Sequence, residues 1–365
     1  MHLYIHIPFC ARRCSYCDFA IAVRREVPSA AFVDALLIEW RRALQEDAWV
    51  SESPVTTIHL GGGTPSRLAP AQLARLLDGL RAGALLAPDA EIAIEANPDD
   101  INVEAVACWR DAGINRVSLG AQSFDERVLQ WMHRTHDAEQ IGRAVDVVRR
   151  AGIANLSLDL IFALPAELQR DWGRDLDRAF ALEPNHLSLY GLTVEPGTPL
   201  GRWTARGECR ATDDESYAAE YLQAAEGFQR AGWDHYEVSN AAAPGFRSIH
   251  NQAYWQRHSY LGLGPSAHSA AGAVRRWNIR DWTAWQRAVA EGRPTVEASE
   301  TLDPAQELLE RRYLGLRTSA GVPLELLPAA ARARWIAAGW AAESKGQLIL
   351  TTEGWLRLDA LIASV

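Results

Sequence analysis

Short strand-like runs and amphipathic runs alternate along the first two thirds of this 365-residue chain, and no other feature constrains its fold as much. The strand-like runs fall at residues 3–7, 57–60, 91–95, 116–119, 156–161 and 186–192. Between them, residues 29–47, 70–81, 103–112 and 139–151 carry apolar side chains at helical spacing. Gly113 and Gly152 each follow a helical run and precede a strand, the usual place of a helix C-cap. Strands separated by helices join by right-handed crossovers into a parallel sheet. Six such units suit an incomplete barrel, although an open doubly wound sheet would give the same pattern.

Beyond this region the pattern changes. Residues 211–231 read as one more helix, and 232–285 as an irregular stretch rich in Gly, His and aromatics. The tail reads as helices at 304–314 and 324–338, a strand at 348–351 and a last helix at 353–362, a small helical or winged-helix unit.

The noteworthy polar clusters each follow or end a predicted strand. Cys10, Cys14 and Cys17, spaced CxxxCxxC, follow the first, and Gly61, Gly62, Gly63 and Thr64 follow the second. Glu95 ends the third, Gln122 follows the fourth, and Asp159 lies late in the fifth. In parallel barrels the active site forms at the C-terminal ends of the strands, so these clusters converge on one rim. Three thiolates on one loop make an incomplete metal site. A structural zinc takes four protein ligands, and no fourth Cys or His stands at zinc-finger spacing. Soft thiolates suit an iron–sulfur cluster, and three of them on a four-iron cluster leave one iron open. The glycine run permits close backbone approach to a ligand, but it is not a phosphate loop, because no Lys follows. Cys108 sits in a helical pattern and reads as core; Cys209 reads as an exposed loop thiol.

Composition narrows the setting. The net charge is −9, so no basic surface is offered to nucleic acid or an anionic membrane. Charge interrupts every apolar stretch before about 18 residues, too short for a membrane span. Five cysteines, three of them bunched, argue against a disulfide framework and for a reducing, cytoplasmic setting.

The run YIHIPFCARRCSYCDF together with GGGTPS resembles the radical S-adenosylmethionine (SAM) enzymes. The resemblance continues through IEANPDD, SLGAQSF, MHRTHD, LDLIFALP, LYGLTVEPGTPL and HNQAYW, and so covers essentially the whole chain. It points to the branch that holds oxygen-independent coproporphyrinogen III dehydrogenase and the HemW-type haem chaperones. The fold it implies is a partial (β/α)6 barrel of the radical SAM type over 1–240, a connecting segment over 241–300 and a C-terminal domain over 301–365. It also implies a 4Fe-4S cluster on Cys10, Cys14 and Cys17, with SAM on the open iron. By the same resemblance Tyr4 and Tyr16 flank the cluster, and Gly62, Gly63 and Thr64 meet the methionine end of SAM. Glu95, Gln122, Arg134 and Asp159 match the nucleoside-side and second-ligand contacts. His250, Tyr254 and Trp255 of HNQAYW match the signature HNxxYW of the haem chaperones and are candidates for haem, His250 as axial ligand.

Two departures separate this chain from the dehydrogenase. That enzyme is expected to carry CxxxCxxCxC, and the position two beyond Cys17 is Phe19 here; only nine residues precede Cys10. The resemblance therefore implies a cytoplasmic haem chaperone holding a cluster, SAM and haem. Its partners would be haem-accepting proteins such as respiratory haem enzymes, with membrane contact only through a partner and a homodimer left open. The dehydrogenase, or a radical SAM enzyme acting on another tetrapyrrole, is the alternative.

Overall fold

In the computed structural model, which describes residues 1–51 and 54–365, six parallel strands lie side by side in chain order. They are β1 (His2–Ile7), β2 (Val55–Gly62), β3 (Leu86–Ala96), β4 (Arg116–Gln122), β5 (Asn155–Phe162) and β6 (His186–Gly191). Each predicted strand lands on one of them. The crossovers carry α1 (Ser29–Glu46), α2 (Pro70–Gly83), α3 (Val103–Asp111), α4 (Ala138–Arg150) and α5 (Trp172–Ala181), and α6 (Asp214–Arg230) follows β6. The helix starts are written into the sequence. Asn102, Asp137 and Asp171 cap α3, α4 and α5 with their side chains, each worth about 1 kcal/mol.

Alternation along the strands sorts residues between two interiors. Leu3, Ile5 and Ile7 on β1 are fully buried in the apolar core, as are Leu60 on β2, Val117 and Leu119 on β4 and Leu158 and Leu160 on β5. Each such side chain contributes roughly 1.5–3 kcal/mol. The alternate positions point into the barrel and are largely polar: His2, Tyr4 and His6 on β1, Thr57 and His59 on β2, Glu91 and Glu95 on β3, Ser118 on β4, Ser157 and Asp159 on β5. They meet across the strands, as in Tyr4 against His59 and Ser118 against Asp159. The sheet is thus apolar outside and polar inside, the partial (β/α)6 barrel expected.

The stretch 232–285 is not irregular. A hairpin, β7 (Asp234–Glu237) and β8 (Asn240–Ala242), extends the sheet antiparallel beyond β6. On the other side β9 (Tyr260–Leu263) pairs parallel with β1. The antiparallel β10 (His268–Ala271), β11 (Val274–Asn278) and β12 (Val296–Thr301) then carry the sheet to twelve strands, in the order β12-β11-β10-β9-β1-β2-β3-β4-β5-β6-β8-β7. Most of these added strands hold only three to five residues, too few alternations for a period to register. The helix α7 (Ile249–Trp255), which contains the HNQAYW motif, lies between β8 and β9.

In the tail, helix Pro304–Leu316 leads to an antiparallel sheet of β13 (Val322–Pro323), β14 (Ala341–Ser344) and β15 (Gln347–Leu350) with β15 central. The helix expected over 324–338 divides into a 3-10 turn, Leu324–Leu326, and helix Ala329–Ala337. Pro328 lies at the break because it cannot donate inside a helix. The last helix also divides, into Thr352–Trp355 and Leu358–Ala363.

Candidate functional site

A cavity of about 420 Å³ opens at the C-terminal ends of the barrel strands. All eleven predicted cluster and SAM positions from the cysteine loop onward line it: Cys10, Cys14, Cys17 and Tyr16, then Gly62, Gly63, Thr64, Glu95, Gln122, Arg134 and Asp159. The cysteine loop is pinned at both ends. Residues Phe9–Cys10 pair in parallel with Ala22–Val23, and Ala22 N–H donates to Pro8 C=O at 2.7 Å. Its middle is tied by Ser15 N–H to Met132 C=O at 3.1 Å.

The thiols have polar company. Thr64 Oγ1 donates to Cys10 Sγ at 3.4 Å, and Arg134 Nη1 lies 3.5 Å from Cys14 Sγ. Arg134 Nη2 donates to Asn97 Oδ1 at 2.5 Å and to Gly120 C=O at 2.9 Å, while its buried Nε has no hydrogen-bond partner among the described residues. Burial holds the Cys10 thiol above its ordinary pKa and pushes Cys17 up to about 11. Bound iron would supply the positive charge that favours the thiolates. Among the described residues, no three His, Cys, Asp or Glu side chains converge as one metal ion requires. A four-iron cluster places each thiolate on a different iron, so three thiols spread along one wall fit that group and not a single ion.

The glycine turn follows from space and backbone conformation. Gly62 takes φ +111°, where a side chain is strained. A Cβ on Gly63 would stand 2.7 Å from the Pro8 carbonyl and 3.0 Å from Cys10 Sγ. Glu95 braces this turn, because its Oε2 accepts the Gly62 N–H at 3.1 Å while its Oε1 meets His59 Nε2 at 3.1 Å. Across the cavity, Asp159 accepts a hydrogen bond from Ser118 Oγ at 2.9 Å. Burial nevertheless pushes its pKa up to about 6. Gln122 has φ 65°, a left-handed bend at the end of β4. The arrangement offers thiols, backbone donors, carboxylates and one guanidinium to a polar ligand of mixed charge.

Other candidates lie elsewhere. Tyr4 is not on the cavity wall; it sits one layer lower, its hydroxyl 3.2 Å from His6 Nδ1. The inward positions of β1 lie two residues apart, so Tyr4 falls well short of the rim that Cys10 reaches. The haem candidates belong to α7, which plugs the opposite end of the barrel. Glu91 receives its N-terminus, accepting from Ile249 N–H at 3.2 Å and His250 N–H at 3.0 Å, and faces Arg116 at 3.6 Å. The ring of His250 is 1% exposed. Its Nδ1 meets Thr57 Oγ1 at 2.6 Å and its Nε2 meets the Tyr254 hydroxyl at 2.8 Å. Both nitrogens are engaged, so this arrangement offers no lone pair to an iron. Tyr254 packs edge-on against Tyr260 at 4.6 Å, and Trp255 lies under the Arg317 guanidinium at 4.3 Å. These three residues hold the barrel base together and share no wall with the cavity.

Sequence reasoning missed part of that wall. Tyr190 comes from the end of β6 and Leu192, Thr193 and Glu195 from the loop after it, Ser118 from β4, and Asn97 and His133 from loops. The rim rule that selected Asp159 applies equally to Tyr190, which pairs with Ile161 on β5. Cys209 is buried at 8% exposure, not an exposed thiol, and Cys108 is only half-buried.

The model of the radical SAM superfamily matches residues 4–179. Heme chaperone HemW of Mycobacterium tuberculosis is 37% identical over 367 residues, covering 100% of this chain and 94% of that protein. Heme chaperone HemW of Escherichia coli is 39% identical over 270 residues, covering 73% of this chain and 69% of its own length. Among solved structures, coproporphyrinogen III oxidase (HemN) from Escherichia coli superposes with a TM-score of 0.82 at 22% identity, over 99% of this chain and 88% of that one. That last likeness speaks for the fold alone. With the cysteine loop, the glycine turn and near full-length similarity to the mycobacterial chaperone in one chain, it belongs to the HemW haem chaperone family of the radical SAM superfamily.

Proposed function

We propose that this protein is a haem chaperone that holds a 4Fe-4S cluster and SAM at the rim of its barrel, binds haem and passes it to haem-accepting proteins. The observation that carries the reading is the cavity wall. Cys10, Cys14 and Cys17 line it together with the glycine turn, and Phe19 occupies the position where the dehydrogenase is expected to hold a fourth cysteine. When bound, the cluster and SAM would supply one-electron chemistry of the cofactor's own making. The residues of the chain bind and orient. The three thiolates would hold iron, the Gly62–Thr64 turn would meet the methionine end of SAM, and Glu95 and Asp159 would accept hydrogen bonds from it. Arg134 keeps positive charge beside Cys14, and Tyr16 closes the loop side.

Thiols in this state belong in a reducing compartment, and we place the protein in the cytoplasm. Among the described residues, no helix is long and apolar enough to cross a membrane, so contact with membrane-bound acceptors such as respiratory haem enzymes would run through the acceptor.

The test is anaerobic reconstitution, followed by haem titration and transfer to a haem-free acceptor. Bound iron and sulfide with stoichiometric haem that leaves for the acceptor supports the reading. A protein that binds neither iron–sulfide nor haem overturns it. Conversion of coproporphyrinogen III in the presence of SAM and dithionite would favour the dehydrogenase. A modified porphyrin formed from haem would favour an enzyme acting on another tetrapyrrole.

A further inference from the structure

The column of polar rings under the cavity floor has no part in the function proposed above. Its upper end is Glu95, on the cavity wall, bonded to Gly62 N–H by one oxygen and to His59 by the other. The ring of His59 lies nearly parallel to that of His250, with centroids 4.9 Å apart and planes at 19°. Tyr4 packs nearly parallel to the same ring at 6.0 Å. The other nitrogen of His59, Nδ1, is buried and has no hydrogen-bond partner among the described residues. One hydrogen bond and the flat faces of its neighbours therefore fix that ring.

His250 is held firmly. Besides Thr57 and Tyr254 on its two nitrogens, the Thr57 hydroxyl also meets His2 Nδ1 at 3.0 Å. A hydroxyl has one proton, so it donates to one of these imidazoles and accepts from the other. The tautomers of His2 and His250 are coupled through this hydroxyl, and His250 cannot turn without leaving buried ring nitrogens unpaired. Burial, with His59 and His2 close by, keeps His250 uncharged.

We propose that His59 and His250 are positioning residues for the Glu95 carboxylate and, through it, for the glycine turn that faces SAM. The inference rests on the SAM reading given above. His250 presents a fixed flat face, His59 keeps its Nε2 aimed at Glu95 Oε1, and Oε2 is left for the Gly62 N–H. The histidine of HNQAYW then acts on the rim from inside the barrel without touching ligand.

The test uses the full chain with its cluster reconstituted anaerobically. It reads the SAM dissociation constant, the change that SAM makes in the EPR spectrum of the reduced cluster, haem stoichiometry and thermal midpoint. His59→Leu and His250→Ala each weaken SAM about tenfold, the loss of one charged hydrogen bond, and broaden the SAM-induced EPR change, with iron content and haem stoichiometry at wild-type values. His59→Gln, which keeps a donor near Glu95, and His250→Phe, which keeps a flat ring, stay within about threefold. In a Glu95→Gln background, His250→Ala adds no further loss, because coupled residues are not additive.

Wild-type SAM affinity in both His59→Leu and His250→Ala overturns the proposal and leaves the SAM reading intact. Loss of haem instead of SAM in His250→Ala overturns it and makes His250 a haem ligand. A wild-type protein with an intact cluster that does not bind SAM overturns both. Should His250→Ala fail to fold, the His59 pair decides, and equal affinities of His59→Leu and His59→Gln sink the idea.

Discussion

At the base of the barrel Glu91 faces Arg116 at 3.6 Å and receives the first N–H groups of α7. His186 is likewise closed between Ser157 at 2.7 Å and Tyr236 at 2.8 Å. At the rim, by contrast, Arg134 keeps a buried Nε without a partner among the described residues, three thiols line an open wall, and burial raises the pKa of Asp159. Both ends are polar, yet at the base Glu91, Arg116, His186 and His250 are spent on neighbouring groups, while at the rim the thiols, Arg134 and Asp159 face an open cavity. Buried polar groups cost stability unless paired. Unpaired polar groups that face a cavity therefore mark where something can bind, and fully paired ones, even a histidine in a family signature, need not.

Substitutions that strike one end and spare the other break or sharpen this contrast. The largest effect is expected from Cys14→Ala, which should abolish visible cluster absorption while far-ultraviolet circular dichroism stays that of the folded barrel. Retained cluster content would remove Cys14 from the site. Next is Glu91→Ala at the base, which leaves Arg116 buried without its charge partner and uncaps α7. A loss of about 3–5 kcal/mol in denaturant unfolding is expected. A loss below about 1 kcal/mol would mean that the base is not the sealed end.

Asp159 gives a smaller, pH-dependent effect. Burial raises its pKa from 3.8 to about 6, so the folded state holds the proton more tightly than the unfolded chain. The stability this confers is present below about pH 4 and is lost as pH rises through about 6. At a partly open cavity it amounts to roughly 1–2 kcal/mol. Asp159→Asn, which cannot ionise, should gain in thermal midpoint over the wild type at pH 7.5 and not at pH 4. A difference that does not vary with pH would contradict the burial of this carboxylate. The smallest effect is expected from Phe19→Cys. Phe19 is 59% exposed, so unfolding free energy should move by no more than about 0.5 kcal/mol. The variant should also gain no conversion of coproporphyrinogen III. Appearance of that activity would mean that this one position selects between chaperone and enzyme.

Much of this arrangement is legible in the sequence. The six strands carry period-two alternation long enough to read, and their ends placed Cys10, Gly62, Glu95 and Asp159 on one rim. Tyr190 and Glu195 were missed although they lie in the run LYGLTVEPGTPL, because that run carries the family resemblance as a whole and singles out no residue in it, even though the rim rule reaches the end of β6. Tyr4, carried over by resemblance, does not line the cavity, and only the fold shows its hydroxyl turned to His6 beneath it. The hairpins after residue 232 were too short to show a period. The setting of His250 was not legible at all. Its partners Thr57 and Tyr254 lie 193 residues away and one helical turn on, and only the folded barrel brings the first of them to its ring.

The most direct measurement is the Mössbauer and EPR spectrum of the anaerobically reconstituted, full-length protein with and without SAM. The open rim predicts about four iron and four sulfide per chain, with one iron distinct from the other three and altered when SAM is added. A single bound metal ion, or a cluster whose spectrum SAM leaves unchanged, would contradict it.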